Sequence, residues 1–189
     1  MGHEIKVEGS SKEEKYMNLI PQIKALLEGE ADMVARMSNT VAALHSTFGF
    51  LWTGFYRVTD TCGDTAAAGT ASPELVVGPF QGPVACSRIA YGKGVCGTAW
   101  KEGRTLVVPD VDLFPGHIRC SSAARSEIVV PVFGPDVRKS GPGIAGYPSA
   151  RTVTAVLDID SASPGTFDMT DAHYLEMICR MCHIFTGHI

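Results

Sequence analysis

The stretch that decides how this chain is read is Cys120-Ser121-Ser122-Ala123-Ala124-Arg125-Ser126-Glu127-Ile128-Val129-Val130-Pro131-Val132. A cysteine sits in a short loop of small and polar residues, and a carboxylate follows as the chain enters a β-branched run. β-branched residues fit strands, and strand side chains alternate between faces. Glu127 therefore shares a face with Val129, while Ile128, Val130 and Val132 point the other way. A thiol at the loop end and an acid at the strand start can then face one cleft. A thiolate paired with a proton donor is what the reduction of an oxidised sulfur centre requires. The plainer reading is a small buried cysteine beside a solvated glutamate, since free cysteine commonly packs as a small hydrophobe.

Working outward, 189 residues make one domain the default. With 45% hydrophobic residues against 19% charged, the chain can bury a full core. A net charge of −4, with no basic run interleaved with aromatics, argues against nucleic acid as a partner. No apolar run approaches the ~18 residues of a bilayer span, so no membrane is expected. Met1 to Lys15 is polar and lacks the apolar core of a signal peptide, which predicts a cytoplasmic protein. The six cysteines are then to be read as catalytic, metal-binding or buried thiols rather than structural bridges.

In chain order, residues 1–15 read as a flexible N-terminal arm and 16–189 as the single domain. Asn18 to Glu28 predicts a short helix with Pro21 in its first turn. Glu30 to Phe48 predicts a second helix, with Met33, Met37, Val41 and Leu44 as its apolar stripe and Gly49 as its stop. Phe50 to Val58 predicts a strand with Phe50, Trp52, Gly54, Tyr56 and Val58 on one face and Leu51, Thr53, Phe55 and Arg57 on the other. Trp52 and Tyr56 either plug the core or wall a small ligand. Leu75 to Phe80 returns as a strand, and Ala85 to Tyr91 is a third that carries Cys86. Gly92-Lys93-Gly94-Val95-Cys96 turns into a short helix ending near Glu102. It is not a phosphate loop, because no Lys-Ser/Thr pair follows its last glycine.

Thr105 to Val108, Ile128 to Phe133 and Thr152 to Asp160 complete the strands. Thr59 to Pro73, which holds Cys62, and Gly134 to Ser149 read as loops or inserted segments. On the last strand Val153, Ala155, Leu157 and Ile159 take the core side, and Thr154, Val156, Asp158 and Asp160 the opposite one. Two carboxylates on one strand face repel unless a cation or a shared proton lies between them. Asp168 or Thr170 can cap a final helix running to about Thr186, with Leu175, Ile178, Cys182 and Phe185 as its stripe. A redox Cys-x-x-Cys belongs at a helix start. Cys179 and Cys182 fall mid-helix on the buried stripe and read as core thiols. The six histidines supply no zinc-ligand spacing to complete that pair. His117 could serve Cys120 as a base, but a solvent-exposed loop histidine is the simpler reading.

The segments Trp52-Thr53-Gly54-Phe55-Tyr56, Gly82-Pro83-Val84-Ala85-Cys86 and Gly92-Lys93-Gly94-Val95-Cys96-Gly97-Thr98-Ala99 occur in that order. Val108-Pro109-Asp110-Val111, Pro115-Gly116-His117-Ile118, Ser126-Glu127-Ile128-Val129-Val130-Pro131 and Leu157-Asp158-Ile159-Asp160-Ser161 follow. Together they resemble the free methionine-(R)-sulfoxide reductases, enzymes built on a GAF domain. The likeness covers roughly residues 30 to 185, and the spaced cysteines and acids make it specific. The long segments Thr59 to Pro73 and Gly134 to Thr152 depart from it.

The resemblance implies an α+β fold of the GAF type (an α/β sandwich), with a central antiparallel sheet of about six strands flanked by helices. The terminal helices would cover one face and loops the other. It implies Cys120 as nucleophile, Cys86 as resolving thiol and Cys96 as an auxiliary thiol. Glu127, Asp158 and Asp160 would line the pocket, and Trp52 and Tyr56 its wall. The implied substrate is free L-methionine-(R)-sulfoxide and the implied reductant is of the thioredoxin type. No metal or organic cofactor is called for, and a homodimer is left open.

The main rival is a ligand-sensing GAF module without catalytic activity. The three acids argue against an anionic phosphate ligand there. A Cys–His hydrolase using Cys120 and His117 lacks an evident third orienting residue.

Overall fold

Strict alternation along three strands sets the centre of the molecule. β1 (Trp52–Thr59), β5 (Ser126–Phe133) and β6 (Val153–Ser161) each put apolar side chains on both faces. β6 therefore lies between β1 and β5, buried on both sides. β2 (Glu74–Gln81), β3 (Arg88–Ala90) and β4 (Leu106–Val108) complete a six-stranded sheet in the order β3-β2-β1-β6-β5-β4. Every pairing is antiparallel, as expected for the α+β GAF fold. The computed structural model describes residues 4–59, 72–134 and 152–182. Most of the two long inserted segments, Cys62, and the final helix beyond Cys182 with Phe185 lie outside the described residues.

On one face pack α1 (Lys12–Leu27), α2 (Met33–Phe48) and α4 (Met169–Cys182). Their stripes, Leu19 and Ile23, Met37 and Val41, and Leu175 and Ile178, meet Phe55, Ile128, Val130, Leu157 and Ile159 in one core. Cys179 and Cys182, in the last described turn of α4, are buried in this core as free thiols, as their place on the apolar stripe predicts. The other face carries α3 (Gly94–Glu102) and loops over a second apolar cluster that includes Trp52, Tyr56, Cys96, Trp100, Val129 and Val156. Val153 belongs to this second cluster rather than to the first. The register shifts between Val132 and Phe133, opposite the start of β6, which breaks the alternation there.

The N-terminal expectation needs correction. α1 starts at Lys12, not Asn18, because Ser11 and Glu14 form a capping box. Ile5 and Val7, inside the expected arm, pack against the core. Lys12 pairs with the buried Asp171, to which Tyr16 also donates a hydrogen bond at 2.9 Å. The third strand is shorter than read: Cys86 lies just before β3, in the connection from β2. Among the described residues no helix is long and apolar enough to cross a membrane.

Candidate active site

The second face becomes chemical near one end of its central strands. Glu127 on β5 stands directly opposite Asp160 on β6, and Asp160 stands opposite Trp52 on β1. Asp158 lies two residues back on β6, opposite Gly54 and Val129. The sheet register thus gathers three carboxyl groups and the aromatic wall on one face, as the alternation predicts.

α3 lays Cys96 over them, with its Sγ 4.0 Å from Glu127 Oε1. The sulfur and an oxygen each from Glu127 and Asp158 lie within 4.8 Å of one another. Glu127 and Asp158 are 5% and 7% exposed, too little for water to solvate two charges. Burial, followed by the charges of Asp158 and Asp160, pushes the Glu127 carboxyl well above the usual range. Burial likewise raises Asp158 and Asp160. The Cys96 thiol is driven up by burial and by the same acids, so it stays protonated. The cluster is therefore protonated in part near neutrality, a state in which a carboxyl group can donate a proton.

Trp52 and Tyr56 stack with ring centroids 5.7 Å apart, and Phe80 also stacks with Trp52, at 5.4 Å. Gly54 makes this possible, since a Cβ there would collide with the Trp52 ring and with Phe80. The wall is tied to the loop before β3. Trp52 Nε1 donates to the Pro83 carbonyl at 3.1 Å and the Tyr56 hydroxyl to the Cys86 carbonyl at 3.0 Å.

Cys86 and Cys120 are joined as a disulfide, their Cα atoms 5.6 Å apart. Cys120 lines two adjoining hollows and so stands between them. One, of about 380 Å³ with its mouth included, is lined by Cys96, His117 and Glu127 among others. The other, of about 280 Å³, is lined by Trp52 and Tyr56. Asp158 and Asp160 border both. All eight residues singled out from the sequence therefore meet in one place.

His117 departs from its expectation. Its side chain is only 11% exposed, with Nε2 3.6 Å from Glu127 Oε2. Burial and the nearby Arg119 lower its pKa, while Asp112 pulls the other way. Both shifts favour the neutral form of each group, and the separation is too long for a direct hydrogen bond. The sequence signal for its placement was slight: His117 follows the Pro115-Gly116 turn in a loop with no periodicity.

The chain matches the GAF domain family over residues 32–184. GAF domain-containing protein A of Dictyostelium discoideum is 45% identical to it, with 96% of this chain and 98% of that protein covered. The free methionine-R-sulfoxide reductase of Escherichia coli is 37% identical, over 89% of this chain and 86% of that enzyme. The structure of free methionine-R-sulfoxide reductase from Neisseria meningitidis in complex with its substrate superposes with a TM-score of 0.79. It is 42% identical and covers 96% of this chain and 93% of that one. On sequence and architecture together, the chain belongs to the GAF-domain family and, within it, to the free methionine-R-sulfoxide reductases.

Proposed function

We propose that this chain reduces free L-methionine-(R)-sulfoxide to methionine through a sulfenic acid on Cys120 and a Cys86–Cys120 disulfide. The observation that carries the reading is the junction of that disulfide with the pocket of Glu127, Asp158 and Asp160 beneath it. In the first step the Cys120 thiolate takes the sulfoxide oxygen while the Glu127 carboxyl supplies the proton. Methionine leaves and Cys120 is left as a sulfenic acid. The Cys86 thiol then condenses with it, forming the disulfide and releasing the oxygen as water. A thioredoxin-type dithiol reopens the disulfide by exchange. Cys96, neutral and held at the acids, serves as an auxiliary thiol. No organic cofactor enters these steps.

Asp158 and Asp160 supply the seat for the substrate ammonium, which offsets the cost of burying their charge. A peptide-bound methionine has no such ammonium. Trp52 and Tyr56 pack the methyl end and lie beside the positive charge that develops at sulfur.

The test compares initial rates on free methionine-R-sulfoxide and on N-acetyl-methionine-R-sulfoxide amide, with thioredoxin as reductant. The free amino acid should be strongly preferred, and equal rates would sink the reading. Asp158→Asn and Asp160→Asn should raise KM, lower kcat, or both, whereas Glu127→Gln should mainly lower kcat. Cys120→Ser should abolish turnover, because a hydroxyl at its normal pKa is a poor nucleophile towards sulfur. A ligand-sensing module would bind without consuming reductant in any of these assays.

A further inference from the structure

We propose that Cys96, Glu127 and Asp158 form a binding site for zinc(II), and that zinc held there blocks the substrate pocket reversibly. The inhibitory half rests on the reading of that pocket given above; the site itself does not. Three donor atoms, one sulfur and two oxygens, lie within 4.8 Å of one another. Tetrahedral zinc, with bonds of about 2.3 Å to sulfur and about 2.0–2.2 Å to carboxylate oxygen, needs donors roughly 3.3–3.7 Å apart. The Cys96 Sγ to Glu127 Oε1 distance is 4.0 Å, so a movement of a few tenths of an ångström closes that pair, and a side-chain shift of up to about an ångström brings in Asp158.

A second observation concerns the hydrogen bonding of Asp158. Asp158 is 7% exposed, and its Oδ1 is buried with no hydrogen-bond partner among the described residues. An orphaned, buried carboxylate oxygen is an acceptor in need of a cation or a donor. The substrate ammonium satisfies it during turnover; a metal ion does so at rest.

The donor set selects the metal. A thiolate excludes magnesium and calcium, which take oxygen donors, and favours zinc and its spectroscopic surrogate cobalt(II). Binding replaces the Cys96 S–H proton, and the protons held by the Glu127 and Asp158 carboxyl groups, by the metal, releases those protons to water, and changes no oxidation state. His117 Nε2 lies 3.6 Å from Glu127 Oε2, the oxygen that does not face Cys96, so a small approach on metal binding would let it hold the carboxylate ligand by a hydrogen bond. Cys96 is free when Cys86 and Cys120 are joined, so the site exists in the oxidised enzyme, without any thiol reductant to compete for metal.

The experiment titrates cobalt(II) and zinc(II) into the disulfide form, in a Cys62→Ser background to remove that thiol. One equivalent of cobalt should bind with a sulfur-to-metal charge-transfer band, and zinc should displace it. Cys96→Ser should lose the band and Cys179→Ser keep it. Asp158→Asn should weaken binding by more than ~100-fold and His117→Ala by about 10- to 100-fold, as for a ligand and its supporting partner. Absence of the band in the parent protein, or its persistence in Cys96→Ser, overturns the site. Asp158→Asn keeps the test decisive if Cys96→Ser does not fold. Free methionine sulfoxide should displace the cobalt in competition, and failure to do so overturns the inhibitory half. None of these readouts needs turnover, so they stand apart from the reduction assay that judges the function.

Discussion

The hydroxyl of Tyr56 donates a hydrogen bond to the backbone carbonyl of Cys86, so one side chain both walls the pocket and holds the loop that carries Cys86. Burial raises the Tyr56 phenol far above its ordinary pKa, so it remains a donor at every working pH. Tyr56→Phe keeps the ring and removes the tether. Losing a hydrogen bond worth about 1 kcal/mol should slow disulfide formation roughly five- to tenfold. The check is single-turnover trapping of sulfenic acid with dimedone: more trapped acid is expected in the variant, with methionine released at the parent rate. An unchanged yield would detach Tyr56 from the second step.

Gly54 sets the tilt of the wall. An added methyl meets the Trp52 ring and Phe80. Gly54→Ala should destabilise the protein by about 1–3 kcal/mol, as overpacking does. It should also raise KM more than it lowers kcat, because the displaced group binds rather than reacts. Thermal melts and steady-state kinetics check the two halves separately.

The buried acids predict a pH dependence of stability. Glu127, Asp158 and Asp160 have folded-state pKa values raised by burial, so the folded state binds more protons than the unfolded chain above pH ~4. Stability contributed by holding those protons is lost as pH rises through the folded values. The Tm of the substrate-free protein, measured in EDTA, should therefore fall between pH 5 and pH 8. Asp160→Asn should flatten the slope. A rising Tm over that interval would mean the cluster is charged and compensated in the folded state.

Without reductant, the reduced enzyme should stop after one turnover with two thiols lost, and peptide mapping should join Cys86 to Cys120. Cys179 and Cys182 should remain free until the protein unfolds, since both are buried in the helical core and burial raises both thiols. A mapped link from Cys120 to either would contradict their assignment as core thiols.

Most of the site could be read from the sequence because it is written on strands. The period of two assigns Glu127, Asp158, Asp160, Trp52 and Tyr56 to faces before any register is known, and pairing of β1, β6 and β5 then brings those faces together. The loops resisted. His117 has no period to betray that its loop folds back on Glu127. The early start of α1 was legible in principle, since Ser11-Lys12-Glu13-Glu14 carries the capping-box spacing. Its polarity concealed the helix, because the partner of Lys12 lies on α4, 159 residues away. Cys86 sits outside β3 rather than in it, which leaves the thiol free of the ladder constraints a strand would impose.

The strand order carries one more consequence. β3 and β4 are opposite edges of the sheet, and the chain passes from one to the other through α3 between Cys86 and Cys120. Joining two residues 34 apart closes a covalent ring that contains both margins of the sheet and the helix bridging them. A ring of that size removes about 4 kcal/mol of conformational freedom from the unfolded chain. On the proposed cycle, catalysis would carry the protein between two levels of resistance to unfolding. Starved of reductant, it accumulates in the tougher one and should outlast its reduced counterpart under proteolysis.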